Sequence, residues 1–295
     1  MTDVHKSVYF QNKCIFNACI GENNMTATEQ PDPDFLSMIP EQEKSDHLAS
    51  LRYAGMIQNA LMPDPKFLRG YLQDFFVLFL PRDIVSGDFY YTVCNKQKMV
   101  LAAGDCTGHG VPGALMSILG ISFLNEIMQS GISLNANRIL NMMREKVMKA
   151  LHQTGYGSKT KDSIDIGLCV VDCFSGKMQY SGANRPLIML REGELTEFKP
   201  DKMTIGVAPL KETPFTNVLI DTRPGDIFYL FSDGFSDQFG EITNKKFKHK
   251  QFKKLIESFK DLPMAQQREY FEKVFMDWKG DTQQVDDVLV FGFQL

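Results

Sequence analysis

The six cysteines include no C-x-x-C pair, so neither a thioredoxin-like redox motif nor a zinc-ribbon framework is available. Cys169 and Cys173 lie in or beside an apolar run, where a reduced thiol is expected. Five histidines are present and none has ligand spacing, which disfavours zinc. The chain has no basic excess: 32 Lys and Arg stand against 36 Asp and Glu, a formal net charge of −4, and no global field argues for nucleic acid. Apolar runs such as Phe75–Leu80 and Ile227–Phe231 are strand-sized, so no membrane span is expected. Met1 to Ile20 carries Asp3, His5, Lys6 and Lys13 and lacks an apolar core, so no signal peptide is read. These absences fit a cytoplasmic setting. What remains is 295 residues with 43% hydrophobic and 23% charged content, an ordinary globular composition.

Residues 1–45 read as an N-terminal segment and linker, polar and proline-bearing from about Gly21 onward. Asp46 to Met62 reads as a helix with Asp46 as N-cap, Leu51, Ala54, Ile57 and Leu61 on one face, and Pro63 as its stop. That amphipathic helix, in a segment 46–63, either packs on its own domain or pairs with a second copy, giving a homodimer. From residue 64 to 295 the pattern is that of one domain. Strands are expected at Asp74–Leu80, Asp88–Cys94 and Lys98–Ala103, followed by helices from Pro112 to Gln129 and from Asn135 to His152. Five more strand-like stretches, two amphipathic helices and a last strand, Val288–Phe293, follow. Strands grouped around paired helices, without regular βαβ alternation, indicate an α+β layered sandwich.

The aspartates fall at strand ends. Asp88 opens one strand, and Asp105 follows its expected hairpin partner. With a two-residue turn at Lys96-Gln97, Cys94 pairs with Met99 and Asp88 falls opposite Asp105. Like charges so placed destabilise a sheet, so a cation is expected between them. Asp233 closes a second strand, while Asp286 and Asp287 open the last one. Taken singly, each is an ordinary turn or cap residue. Converging, with no Cys/His set, they suit hard cations such as Mg²⁺ or Mn²⁺. The run Gly104-Asp105-Cys106-Thr107-Gly108-His109-Gly110-Val111-Pro112-Gly113 adds a glycine-rich turn between strand and helix, with Pro112 expected at the first helical position. Such a turn offers backbone N–H groups to an anion. It matches neither a Walker A loop nor a dinucleotide fingerprint.

These segments resemble a known family. Pro81-Arg82-Asp83-Ile84-Val85-Ser86-Gly87-Asp88-Phe89-Tyr90 is similar to the first motif of stage II sporulation protein E-type phosphatases, a bacterial branch of the metal-dependent PPM phosphatases. Asp105–Gly110 with Val111-Pro112-Gly113-Ala114-Leu115-Met116 resembles the second motif. Ser181-Gly182-Ala183-Asn184-Arg185-Pro186-Leu187, Gly225-Asp226 leading to Ser232-Asp233-Gly234, and Asp286-Asp287-Val288 resemble the later ones.

The resemblance implies an α-β-β-α sandwich of two antiparallel sheets flanked by helices, and two Mn²⁺ or Mg²⁺ ions that activate water for attack on phosphorus. It further implies that Asp105 bridges the ions, that the Cys106 carbonyl binds one, and that Asp233 and Asp286 complete the other's shell. Asp88 would hold bound water or ligate directly. Arg82 and Gly108 are the candidate phosphate contacts, with Arg185 a second arginine to consider, and His109 is the candidate general acid. An exposed structural arginine and a turn-fixing histidine are the plainer alternatives.

The implied function is a protein serine/threonine phosphatase acting on a phosphorylated partner of the anti-sigma factor antagonist type. The alternatives are a non-catalytic phosphoprotein- or metal-binding module and a nucleotide hydrolase. The full set Asp88, Asp105, Asp233 and Asp286 argues against the first alternative, and the missing P-loop against the second. The lysine-rich stretch Asn244–Lys254 reads as a solvated face or, more sharply, as a dock for an acidic partner.

Overall fold

The computed structural model describes residues 40–94, 97–130, 135–155, 157–207, 213–259 and 262–295. Most of the expected N-terminal linker, and part of the hairpin turn after Cys94, lie outside these. The chain divides into two compact units, Met1–Leu48 and Ala49–Leu295. The described part of the first is the start of helix α1 (Glu41–Leu61), where Lys44 Nζ bonds Glu41 at 2.9 Å.

The second unit is built on two five-stranded antiparallel sheets. One contains β1 (Asp74–Leu80), β6 (Leu187–Arg191), β7 (Glu194–Phe198), β9 (Ile227–Phe231) and β10 (Val288–Gln294), in the order β1-β10-β9-β6-β7. The other contains β2 (Phe89–Cys94), β3 (Lys98–Cys106), β4 (Ile164–Asp172), β5 (Met178–Ala183) and β8 (Val218–Ile220), in that order. Alternate residues of each strand enter different cores, as the two-residue period requires. Met99, Leu101 and Ala103 meet Phe228, Leu230, Leu289 and Phe291 between the sheets. Val100 and Ala102 face helices α2 (Gly110–Gln129) and α3 (Ala136–Ala150). On the far side, Tyr229, Phe231 and Val290 pack with Phe252 of α5 (His249–Glu257) and with Phe271 and Phe275 of α6 (Met264–Lys279). The expected helix–sheet–sheet–helix sandwich is the architecture found.

Several boundaries differ from the sequence expectation. The strand β7 was not expected, because ELTEF is mostly polar; it forms at an exposed sheet edge, paired to β6 alone. The 3₁₀ helix Pro65–Gly70 and the helical turn α4 (Gly234–Asp237) are likewise additional. Helix α2 starts at Gly110, which places Pro112 third in the helix; an N–H is dispensable there too, since the first four have no intrahelical acceptor. This helix is long and apolar enough to cross a membrane by length and composition, an apolar stretch longer than the strand-sized runs anticipated. Ser117, Ser122 and Asn125 interrupt it in the sequence. Met116, Ile121, Leu124 and Ile127 bury in the core, which accounts for its hydropathy.

Helix α1 begins five residues earlier than expected and docks with a different face. Ala54, Ile57 and Leu61 are exposed, while Gly55 and Gln58 are buried. The reason is a polar seam. The Gln58 amide donates to the Ser86 carbonyl (2.5 Å) and to Ser117 Oγ (2.8 Å), and its oxygen accepts the Ser86 N–H (3.0 Å). A Cβ on Gly55 would lie 2.8 Å from the Ile84 carbonyl, so glycine permits this approach.

The loop between β1 and β2, which carries Asp88, is held from the other end of the chain. Asp287, just before β10, is 2% exposed and accepts the N–H of Arg82 through Oδ1 and of Gly87 through Oδ2, both at 2.7 Å. Asp287→Ala would leave both amides without an acceptor, at an expected cost of about 2–4 kcal/mol. Urea unfolding should show the midpoint fall with an unchanged slope, and Asp287→Asn should lose less; a midpoint equal to wild type would show that the clamp contributes nothing.

Candidate functional site

The antiparallel ladders bring one end of each sheet together. Cys94 pairs with Met99 and Phe89 with Gly104, so Asp88 and Asp105 follow in register on neighbouring strands. Across the other side of β3, Asp105 pairs with Asp165. In the second sheet Val290 pairs with Phe231, which sets Asp233 beside Asp286 and Asp287. Asp105, Asp165, Asp233 and Asp286 line one cleft of about 230 Å³, together with Cys106 and Gly108 of the glycine-rich turn. Gly108 and Gly110 both have positive φ, at 82° and 63°. A Cβ on Gly87 would lie 2.6 Å from the Gly108 carbonyl, so the Asp88 loop and this turn can abut only through glycine.

The cation that lies among these acids is a side chain, Arg185, set between Asp105 and Asp233 rather than between Asp88 and Asp105. Its backbone is fixed in the β5–β6 connection: Asn184 adopts φ 56°, and the Arg185 carbonyl accepts the Tyr180 hydroxyl at 2.6 Å. One guanidinium nitrogen, Nη2, donates to Asp105 Oδ2 (2.6 Å) and to Asp233 Oδ2 (2.8 Å), and lies 3.7 Å from Asp165 Oδ2. Asp165 also accepts from the Asn184 side-chain amide at 2.9 Å. Burial opposes the arginine's charge, but Asp105, Asp233 and Asp165 outweigh it and hold the group protonated.

The carboxylates themselves are under pressure. Burial pushes Asp105 up to about 8; Arg185 works against this, and Asp233, Asp286 and Asp165 add to it. Asp88 is 2% exposed and is not among the residues lining the cleft. Burial raises its pKa, the neighbouring Asp105 raises it further, and the Ser232 hydroxyl, donating to Oδ2 at 2.5 Å, opposes the rise. Asp286 is also raised, by burial first, with the Asp287 N–H and His109 pulling the other way. Four carboxylates line the cleft and Arg185 is the one basic side chain among its lining residues, so one guanidinium cannot balance them. That donor set suits hard divalent cations. Among the described residues, no three acidic, Cys or His side chains are already gathered at ligand distance around one point. Arg185 takes the space between Asp105 and Asp233.

Not all expected site residues join the cleft. Asp105, Cys106, Gly108, Asp233 and Asp286 line it, and Asp88 is buried next to it, within reach of the Asp105 charge. Arg82 does not; its guanidinium donates to the Val285 carbonyl at 3.1 Å. His109 Nδ1 lies 3.1 Å from Asp83 Oδ2 at an exposed position, and its ring is absent from the cleft lining. The arginine in the cleft is Arg185. Asp165 was not singled out from the sequence, because it lies one residue inside its strand while the pattern that marked Asp88 was a place at the strand end.

The family model described as stage II sporulation protein E (SpoIIE) matches residues 95–295. Among solved structures, the SiaA-PP2C domain of Pseudomonas aeruginosa is similar at 28% identity and a TM-score of 0.77, over 85% of this chain and 98% of that one. The PP2C phosphatase domain of SpoIIE from Bacillus subtilis, solved with a fragment of its regulatory domain, is similar at 16% identity and a TM-score of 0.62, over 75% of this chain and 62% of that one. The PPM Ser-Thr phosphatase MsPP from Mycobacterium smegmatis, solved with cacodylate, aligns at 14% identity and a TM-score of 0.52, over 76% of this chain and 99% of that one. No protein of curated function matches the sequence. The match covers more than half the chain, and the sheets and their flanking helices agree with it: the chain belongs to the stage II sporulation protein E family, a branch of the PPM-type serine/threonine phosphatases.

Proposed function

We propose that this phosphatase hydrolyses phosphoserine or phosphothreonine on a cytoplasmic signalling partner of the anti-sigma factor antagonist type, using two Mn²⁺ or Mg²⁺ ions. The observation that carries the reading is the gathering of Asp105, Asp165, Asp233 and Asp286 in one cleft beside a glycine-rich turn. Asp105, Asp233, Asp286 and the Cys106 carbonyl would hold the metals. Bound there, such ions activate water and neutralise charge on phosphoryl oxygens. The chain's own part is positioning. Ser232 orients Asp88, and the Leu289 N–H in turn fixes Ser232 Oγ at 2.9 Å. The turn at Gly108 presents backbone to an anion, and Asp287 fixes the loop that faces it. Buried, reduced Cys106 and Cys169 suit the cytoplasm.

The test is hydrolysis of a phosphothreonine peptide by the purified chain with Mn²⁺, with and without EDTA. Activity should require the metal, and full activity in EDTA would sink the two-metal reading. Asp105→Ala should remove nearly all turnover. A variant keeping more than about a tenth of the rate, a loss of no more than ~1.4 kcal/mol, would show that Asp105 is not central.

Helix α1 is the natural regulatory element in this reading. Gln58 grips Ser86, two residues before Asp88, while Tyr53, Met56 and Ile57 on its other faces are exposed. A second copy covering those faces could shift Gln58 and, through Ser86, the catalytic loop. Gln58→Ala should therefore change the turnover rate more than the melting temperature. Tyr53→Asp with Ile57→Asp should convert a dimer to a monomer in light scattering. Wild-type rate and oligomeric state in both variants would make α1 a passive extension.

A further inference from the structure

The oxygens of Asp105 and Asp233 are among those that would hold a divalent cation at this cleft. Arg185 already uses them. The same nitrogen, Nη2, lies 2.6 Å from Asp105 Oδ2 and 2.8 Å from Asp233 Oδ2, a position between one carboxylate of each sheet. We infer that Arg185 is a built-in counter-cation, which metal must displace from Asp105 and Asp233 when it loads, so that this arginine sets the protein's threshold for metal. The inference rests on the two-metal reading above and adds a competitor within the site itself.

Three observations support a side chain able to yield. First, the contacts are unevenly satisfied: Nη2 serves two carboxylates, while the buried Nε has no hydrogen-bond partner. A guanidinium has five N–H donors, and leaving one buried and unmet weakens its hold on this position. Second, the backbone at Arg185 is anchored independently. Its N–H donates to the Ala183 carbonyl at 2.7 Å, and its carbonyl accepts from Tyr180. The side chain can therefore leave without unfolding the β5–β6 connection. Third, Asp165 has a partner of its own in Asn184, so it does not depend on Arg185 for a hydrogen bond.

Metal loading is then an exchange. Each ion's apparent affinity reports its attraction to the carboxylates minus that of the guanidinium it expels. Removing the guanidinium frees two oxygens and adds one net negative charge, and both changes favour cation binding. If Arg185 instead pre-arranged the acids for metal, its removal would weaken binding. The sign of the change separates the two roles.

The experiment is a calorimetric titration of Mn²⁺ into the full chain and its Arg185→Gln and Arg185→Lys variants, at one ionic strength. Arg185→Gln should bind Mn²⁺ at least about tenfold more tightly than wild type. Arg185→Lys should fall between, because an ammonium keeps the charge but not the planar fork. Without metal, Arg185→Gln should melt at a lower temperature than wild type, and Mn²⁺ should raise its melting point by more. Equal or weaker Mn²⁺ binding by Arg185→Gln, with wild type binding normally, would overturn the inference and leave the metal reading standing. No Mn²⁺ binding by wild type would overturn both. Should Arg185→Gln fail to fold without metal, the lysine variant decides: it must bind more tightly than wild type.

Discussion

Burial of several carboxylates side by side, sharpened by their mutual repulsion, governs the cleft end of this molecule. Asp105 has Asp165 across one ladder and Asp88 along the other, and the second sheet adds Asp233 and Asp286. At an effective dielectric near 20, two unit charges about 4 Å apart repel by roughly 4 kcal/mol, comparable to a sizeable share of a domain's net stability. Such a group stays together only if the chain around it cannot move apart. The sheets supply that rigidity, since both faces of each are buried in apolar cores. Ser232 holds Asp88, Asn184 holds Asp165, and Asp287 ties the first loop to the last strand. The result is a site with a standing demand for positive charge, which one guanidinium meets only in part.

Much of this was legible in the sequence because strand ends are easy to see. Continuous apolar runs such as Ile227–Phe231 marked strands covered on both faces, and the aspartates flanking them marked a shared edge. The demand for a cation between Asp88 and Asp105 followed from register alone. What stayed hidden depended on long-range pairing. Asp287 looks like a twin of Asp286, yet Asp286 faces the cleft and Asp287 clamps backbone amides 205 and 200 residues away in sequence. Arg82 stands in the same loop as Asp88, but its side chain reaches Val285 instead. Arg185 lies 80 positions from Asp105, so only the folded sheet could show that it reaches the acids.

The helix α1 shows a different limit. Apolar periodicity chose Leu51, Ala54, Ile57 and Leu61, and the docked face turned out to centre on a glycine and a glutamine. Hydropathy cannot find a seam made of hydrogen bonds to backbone. The seam has physical logic all the same: Gln58 satisfies the buried N–H of Ser86 and shares the Ser86 carbonyl with the Ser117 hydroxyl. A polar joint of this kind holds geometry more tightly than an apolar one, because a small rotation of the helix breaks several directional bonds at once.

The place of β10 in its sheet has a consequence for how the protein is made. Strand β1 hydrogen-bonds only to β10 within its sheet, so Asp74–Leu80 has no neighbour until Val288–Gln294 has been synthesised. On a ribosome adding roughly 5–20 residues per second, that apolar strand waits ten seconds or more, on the order of magnitude, with its edge exposed. The same late segment delivers Asp286 and Asp287. Emerging chains therefore hold an unfinished cleft and a sticky strand together, and both are resolved when β10 and the two aspartates just before it arrive.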